Sequence, residues 1–311
     1  MADVACLGIL VADIVGTPVD ALPRRGTLAL LERIELHTGG CAANAAIALA
    51  RIGVSTAVLG KVGADDLGDY VVGALLQAGL DTRGLLRDPD AATSASLVAV
   101  HSDAERSFLH VPGANAVYGP DDVRWDVVGA ARLLHVAGPQ LLPAFEGDPL
   151  ARMLAEARRR GLATVLDTVM NPRSRGWDGL APALPYLDWI VPSHEEAREL
   201  TGEAEERGMV ARLRRAGAKN VALKRGERGC LVAPAGGDPF HVPAFPVRAV
   251  DALGAGDAWA AGFLAGLLHD WPLPKTVRFA NAVGACCVEA LGATTGVKSL
   301  DETLTMLETV V

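Results

Sequence analysis

The stretch DALGAGDAWAAGF, residues 251–263, reads as a tight glycine turn that opens a helix. Gly254 and Gly256 admit turn geometry without a Cβ clash, and Ala255 keeps the middle small. Ala258, Trp259, Ala260, Ala261, Phe263, Leu264 and Leu267 then form a largely apolar helix that a core can enclose. A helix start behind glycines presents N–H groups and the positive end of the helix dipole, which suits a phosphate. Asp257 lies in that first turn. Two roles are open to it. It can cap the helix, or it can deprotonate a hydroxyl that attacks a phosphoryl group held on the N–H groups.

The surrounding chain narrows the class. It has 311 residues, of which 50% are hydrophobic and only 5% aromatic, so Ala, Val and Leu must build the core. That suits α/β layering better than an aromatic-rich sandwich. A formal charge of −8 argues against a nucleic-acid surface but leaves room for an anionic ligand on local N–H groups. Cys6, Cys41, Cys230, Cys286 and Cys287 lack C-x-x-C spacing and read as buried thiols of a reducing cytoplasm. No apolar run reaches transmembrane length, and residues 4–12 read as a first strand rather than a signal peptide.

Residues 4–11 form a continuous apolar run that places Asp13 at a strand's C-terminal end, where open α/β sheets gather ligands. Gly39-Gly40 reads as a turn before a helix over 42–52, stopped by Gly53, with Asn44 in its first turn. Strands are expected at 56–62, 133–138, 163–167, 188–191 and 220–224. Helices are expected at 66–79, 149–160, 194–201, 206–216, 256–269, 275–291 and 301–309. Residues 97–100 and 106–111 suggest a hairpin around Ser102-Asp103. The expected architecture is one doubly wound, mostly parallel α/β domain from 1–13, 39–92 and 113–311. Segments 14–38 and 93–112 interrupt this alternation and are expected to pair into one small β-sheet. In the alternation of 106–111, Arg106, Phe108 and His110 share one face, and Ser107, Leu109 and Val111 the other. The pattern leaves open which face looks inward, and its plainest reading puts Arg106 in solvent.

Three glycine turns carry candidate chemistry: Gly39-Gly40 with Asn44, KRGERG at 224–229, and GAGD at 254–257. GKVGADDLG at 60–68 lacks both the Rossmann spacing and the P-loop Gly-Lys-Ser/Thr. A nicotinamide oxidoreductase is disfavoured because GILVAD holds a single glycine after the first strand.

GGCAANAA (39–46) and DALGAGDAW (251–259) resemble the N- and C-terminal signatures of the ribokinase-like (PfkB) carbohydrate kinases, and ERSFLHVPGAN (105–115) resembles their lid hairpin. The resemblance spans nearly the whole chain. It implies a ribokinase-like fold and ATP-dependent phosphorylation of a hydroxymethyl group on a sugar or polyol. It puts Asp257 on the catalytic base and Gly254, Ala255 and Gly256 on the anion hole. Asp13, Gly39, Gly40 and Asn44 fall on substrate contacts. Lys224, Gly226 and Gly229 fall on the nucleotide turn, and Asn281 beside the adenine. Glu196, with Ser193 where the family has Asn, falls on the Mg²⁺ position. Asp251 falls on a monovalent-cation site that K⁺ would fill, although Ala252 replaces the usual Thr. Segments 14–38 and 93–112 fall on the family's β lid over the sugar, which implies a homodimer through the lid; the charge and hydropathy already argue against a nucleic-acid or membrane partner. A nucleoside kinase and a non-catalytic sugar- or nucleotide-sensing relative remain as alternatives. His37, His110 and His194 are expected to be structural. Asp13 disfavours a phosphosugar, so a neutral or weakly acidic hydroxylated substrate is expected.

Overall fold

The computed structural model describes residues 2–102 and 105–309; the expected turn residue Asp103 lies outside them. The strands in chain order are β1 (Val4–Gly8), β2 (Val11–Thr17), β3 (Arg33–Gly39), β4 (Thr56–Gly63), β5 (Asp81–Asp88), β6 (Ala95–Val100) and β7 (Arg106–Val111). After them come β8 (Leu133–Ala137), β9 (Ala163–Asp167), β10 (Trp189–Ile190), β11 (Asn220–Lys224), β12 (Cys230–Ala233) and β13 (Phe240–Val242). Nine of them make one sheet in the order β13-β12-β11-β10-β9-β8-β1-β4-β5. The run from β5 to β11 is parallel, and β12 and β13 add an antiparallel edge. Strand order reverses between β1 and β8. Such a switch point opens a crevice at the carboxyl ends of the strands.

The apolar run 4–11 is not one strand. It breaks after Gly8, because the side chain of Asn115 takes over the backbone of Leu10. Asn115 Oδ1 accepts the Leu10 N–H at 3.3 Å, and its Nδ2 donates to Leu10 O at 2.9 Å. The chain then passes directly into β2, in a second sheet. Asp13 therefore sits within a lid strand and not at the end of β1. β5 had no counterpart in the sequence reading. It is a half-exposed edge strand, and its residues DTRGLLRD carry too little apolar pattern to announce it.

The second sheet has the order β3-β2-β6-β7. Its register aligns His37, Asp13, Ser96 and His110 in one transverse row. The pleat puts that row on the face toward the crevice. Ile14, Ile34, Leu97 and Leu109 lie on the opposite face, where Ile34, Leu97 and Leu109 are more than half exposed.

The helix Ala255–Leu268 is apolar on nearly every side and packs against the helix Leu273–Val288. Gly262 allows the close approach: a Cβ there would lie 2.9 Å from Ala280 Cα. Phe263 is fully buried, with Trp259 stacked on it at 5.1 Å and Trp189 edge-on at 4.9 Å. Truncating such a ring costs about 3–5 kcal/mol. This packing anchors the helix whose first turn carries Asp257.

Candidate active site

The glycine turn is built as its residue types demand. Gly254 has φ +71°, and a Cβ on it would lie 2.1 Å from Ala293 O. Both the left-handed backbone and the tight approach to the 293 loop exclude other residues. The helix then starts at Ala255 with Asp257 in its first turn. A Cβ on Gly256 would lie 3.2 Å from Lys224 Nζ, so the helix start and the ammonium border one space. A Gly-rich helix start facing a lysine is a setting for phosphate oxygens.

Asp257 Oδ2 accepts a hydrogen bond from Asn44 Nδ2 at 2.9 Å. Burial pushes the Asp257 carboxyl up to about 6, against the pull of Asn44, Lys224 and Cys41. Asn44 comes from the first turn of the helix Cys41–Ile52, which Gly40 precedes. Its Oδ1 is buried without a hydrogen-bond partner, as is Thr38 Oγ1. Gly39 matters for what it lacks. A Cβ there would lie 1.9 Å from Asp13 Oδ2, so the bare backbone is what admits that carboxylate. Burial raises the Asp13 carboxyl, while Ser96, His110, His37 and Arg106 pull it down.

Between the lid and residues 291–295 lies a cleft of about 530 Å³, bordered by Asp13, His37, Thr38, Tyr70, Arg106 and Thr294. That size suits a small ligand. Arg106 is thus not in solvent. It lies on the inward face, with a side chain only 12% exposed, in an ion pair with Asp251. The alternation placed it correctly with His110 but could not orient the sheet.

Near Asp257, β9 ends at Asp167 and β11 at Lys224. Lys224 Nζ is 2.6 Å from both Asp167 oxygens. Burial opposes the lysine's charge, but Asp167, Glu196 and Asp257 outweigh it and hold the ammonium protonated. The Lys224 N–H also donates to Pro192 O at 2.9 Å, which ties β11 to the segment carrying Ser193 and Glu196. Ser193 and Glu196 form a reciprocal cap on the helix His194–Thr201. Glu196 Oε2 accepts the Ser193 N–H at 2.8 Å and the Thr168 hydroxyl at 2.7 Å. Glu196 therefore points into the site rather than out to water. Gly226, with φ +56°, borders open space at the turn after β11, whereas Gly229 is pressed against Val242 O.

Two residues differ from expectation. Asn281, expected beside the adenine, has its amide engaged within the protein. Its Oδ1 accepts from Trp259 Nε1 at 2.7 Å, and its Nδ2 donates to Val242 O and Pro243 O. Its place is to lock the helix Leu273–Val288 onto Trp259 and the end of β13. Asp251 is surrounded by donors. Oδ1 accepts the Leu253 N–H at 2.9 Å, and Oδ2 accepts the Gly292 N–H at 2.7 Å together with Arg106. The three histidines have protein partners: His37 contacts Glu35, His110 contacts Ser96, and His194 lies near Glu195 and Glu206.

The sequence reading missed Asp167, Thr168, Cys41 and the 291–295 loop. A signal existed for Asp167: ATVLD is an apolar run ending in Asp, the pattern that singled out Asp13. Among the described residues, no three His, Cys, Asp or Glu are grouped to hold a metal ion, and no helix is long and apolar enough to cross a membrane.

The chain is 28% identical over 271 residues to the 5-dehydro-2-deoxygluconokinase of Geobacillus kaustophilus, covering 82% of this chain and 79% of that one. It is 28% identical over 289 residues to fructokinase-1 of Zea mays, covering 87% and 88%. Its fold matches the Arabidopsis thaliana ribokinase solved with ribose and ATP, with a TM-score of 0.85 at 24% identity over 99% of each chain. Residues 1–300 match the family described as pfkB family carbohydrate kinase, and the chain belongs to that family of ribokinase-like fold.

Proposed function

We propose that the protein transfers the γ-phosphoryl group of ATP to a hydroxymethyl group of a sugar or sugar-like polyol, with Asp257 as the base. The observation that carries this reading is the Asn44–Asp257 hydrogen bond at a glycine-opened helix start that borders Lys224. It joins three things in one place: a carboxylate raised to about 6, a helix N-terminus and a buried ammonium. A base with a pKa near working pH suits proton abstraction. In this reading the substrate hydroxyl gives its proton to Asp257. Its oxygen bonds the γ-phosphorus as the bond to the bridging oxygen breaks. The Gly254–Gly256 N–H groups and Lys224 balance the charge on the transferring group. The products are a sugar phosphate, ADP and the proton left on Asp257.

Asp13, Asn44 Oδ1 and Thr38 Oγ1 are the groups assigned to the sugar. The last two are buried acceptors that lack a protein partner, and a hydroxyl would satisfy them. The two arginines of the cleft are already paired, Arg106 with Asp251 and Arg33 with Glu35. That supports a neutral or weakly acidic sugar over a phosphosugar. Lys224, Gly226 and Gly229 are assigned to the nucleotide. Mg²⁺ would arrive with ATP and supply neutralising charge on the phosphates. Glu196 with Ser193 is the pair assigned to the ion: Glu196 Oε2 accepts the Ser193 N–H and the Thr168 hydroxyl, so its other oxygen would face the ion or its water. K⁺ does not fit Asp251, whose oxygens face N–H groups and a guanidinium, and no step is routed through it.

The reading extends to assembly and location. The outer lid face carries an apolar groove of about 420 Å³ bordered by Ile14, Leu22, Ile34, Leu97 and Leu109. We assign it to a second copy, since pairing two lids would cover both this face and the open edge at β7. All five cysteines are free, which suits the cytoplasm. The test of the reaction is a coupled ADP-release assay on fructose, ribose, a keto-deoxy sugar acid, adenosine and fructose 6-phosphate. Turnover of a sugar or sugar acid is expected. Turnover of adenosine alone, or of none of the five, would reject the reading.

A further inference from the structure

We infer that Arg106 is a positioning residue that couples lid closure to the anion-hole turn by supplying a fixed cation to Asp251. The inference rests on the kinase reading for its kinetic consequence and on geometry alone for its structural one.

The lid strand β7 reaches the main domain through this side chain. The Arg106 side chain is 12% exposed and that of Asp251 only 2%, so the pair is shielded from water on both sides. A shielded ion pair is far more sensitive to loss of one partner than a surface pair, because the remaining charge is left uncompensated. What Asp251 does with its other contacts gives the pair its reach. Oδ1 holds the N–H of Leu253, the residue before Gly254, and Oδ2 holds the N–H of Gly292. Gly254 in turn lies against Ala293 O. One carboxylate thus pins both walls of the helix start, and the lid's guanidinium balances it. Leu253, Gly292, Ala293, Thr294 and Arg106 also border the sugar cleft. When the lid is shut, the cation is seated and both walls are set. Withdrawing the guanidinium would leave Asp251 with the Leu253 and Gly292 N–H groups alone and so would loosen the turn.

The resemblance implies a diffusible monovalent cation beside Asp251. In this chain the protein carries its own. The donors on the two oxygens are N–H groups, which compete with a metal cation instead of ligating it. Rates in potassium, sodium and N-methylglucamine salts should therefore agree within about twofold.

The test has two arms. The first uses no substrate. Hydrogen–deuterium exchange is measured on the full chain and on Arg106→Ala, Asp251→Asn and the double variant. Peptides spanning 251–256 and 290–295 should exchange at least tenfold faster in each single variant, and the double variant should be no faster than the worse single. Unchanged exchange, or effects that multiply in the double variant, would overturn the coupling whether or not the protein is a kinase. The second arm uses whichever sugar turns over with ATP. Arg106→Ala should lose at least tenfold in kcat with the KM for ATP moved less than twofold. Added guanidinium or ethylguanidinium at millimolar concentration should restore several-fold of that loss, and KCl should not. Arg106→Lys, which keeps a charge on the lid, should retain more kcat than Arg106→Ala. Rescue by KCl equal to that by guanidinium would show that the site wants a diffusible ion and reject the fixed-cation role. So would a wild type activated by potassium. If no tested sugar turns over, the kinase reading fails and the first arm still decides the coupling.

Discussion

Asn44 Nδ2 donates to Asp257 Oδ2 at 2.9 Å, across 213 residues of sequence. The bond joins the N-terminal glycine motif to the C-terminal one, and it leaves Asn44 Oδ1 buried and unpartnered beside the carboxylate. Asp257→Asn keeps the size of the side chain and removes the carboxylate proposed as the base. We expect kcat to fall by about a hundredfold or more, with ATP binding by calorimetry changed little. A rate within a few-fold of wild type would return Asp257 to a helix cap.

The same pair sets a pH dependence. Burial raises the Asp257 carboxyl to about 6, and the Asn44 bond opposes that rise. With Asp257 as the proposed base, the ionised form would be the active one, so kcat/KM should fall as pH drops through about 6 and level off above it. Asn44→Ala removes the opposing bond and should move that limb to higher pH. A limb that stays in place in Asn44→Ala, or moves to lower pH, would assign the titration to another group.

Lys224 and Asp167 make a second buried relationship, with Nζ 2.6 Å from both oxygens. Lys224→Met leaves Asp167 buried without its cation. Breaking a buried pair this way costs about 3–5 kcal/mol. We expect that loss in urea unfolding at pH 8. It should shrink as pH falls, because burial already raises the Asp167 carboxyl and protonation removes the uncompensated charge. Adding Asp167→Asn to the variant should recover part of the deficit. Equal stability of Lys224→Met and wild type at pH 8 would mean that the pair is not shielded in solution.

The lid's outer face gives a prediction about assembly. Leu97 and Leu109 are 53% and 61% exposed on a groove lined mainly by aliphatic side chains. Light scattering at micromolar concentration should report a dimer for the wild type. Leu97→Asp with Leu109→Asp should give a monomer with its circular dichroism unchanged. A wild-type monomer would leave the lid without the partner assigned to it.

Much of this molecule follows from local physics that a sequence displays. The βα alternation fixes a parallel sheet with its helices. The turn before Asp257 needs glycine at 254 for backbone reasons, so it shows in the residues themselves, as do Gly39-Gly40 and Asn44 at the start of the helix Cys41–Ile52. Other features depend on contacts between distant segments. Asn115 diverts the chain at Leu10, which moves Asp13 from the main sheet into the lid. Trp259, Val242 and Pro243 absorb the Asn281 amide. Alternation grouped Arg106 with His110, but only the docking of the lid onto the main sheet turned that face inward and set Arg106 on Asp251. Side-chain periodicity records which residues share a face; which neighbour that face meets is decided by where the strands and loops come together in space.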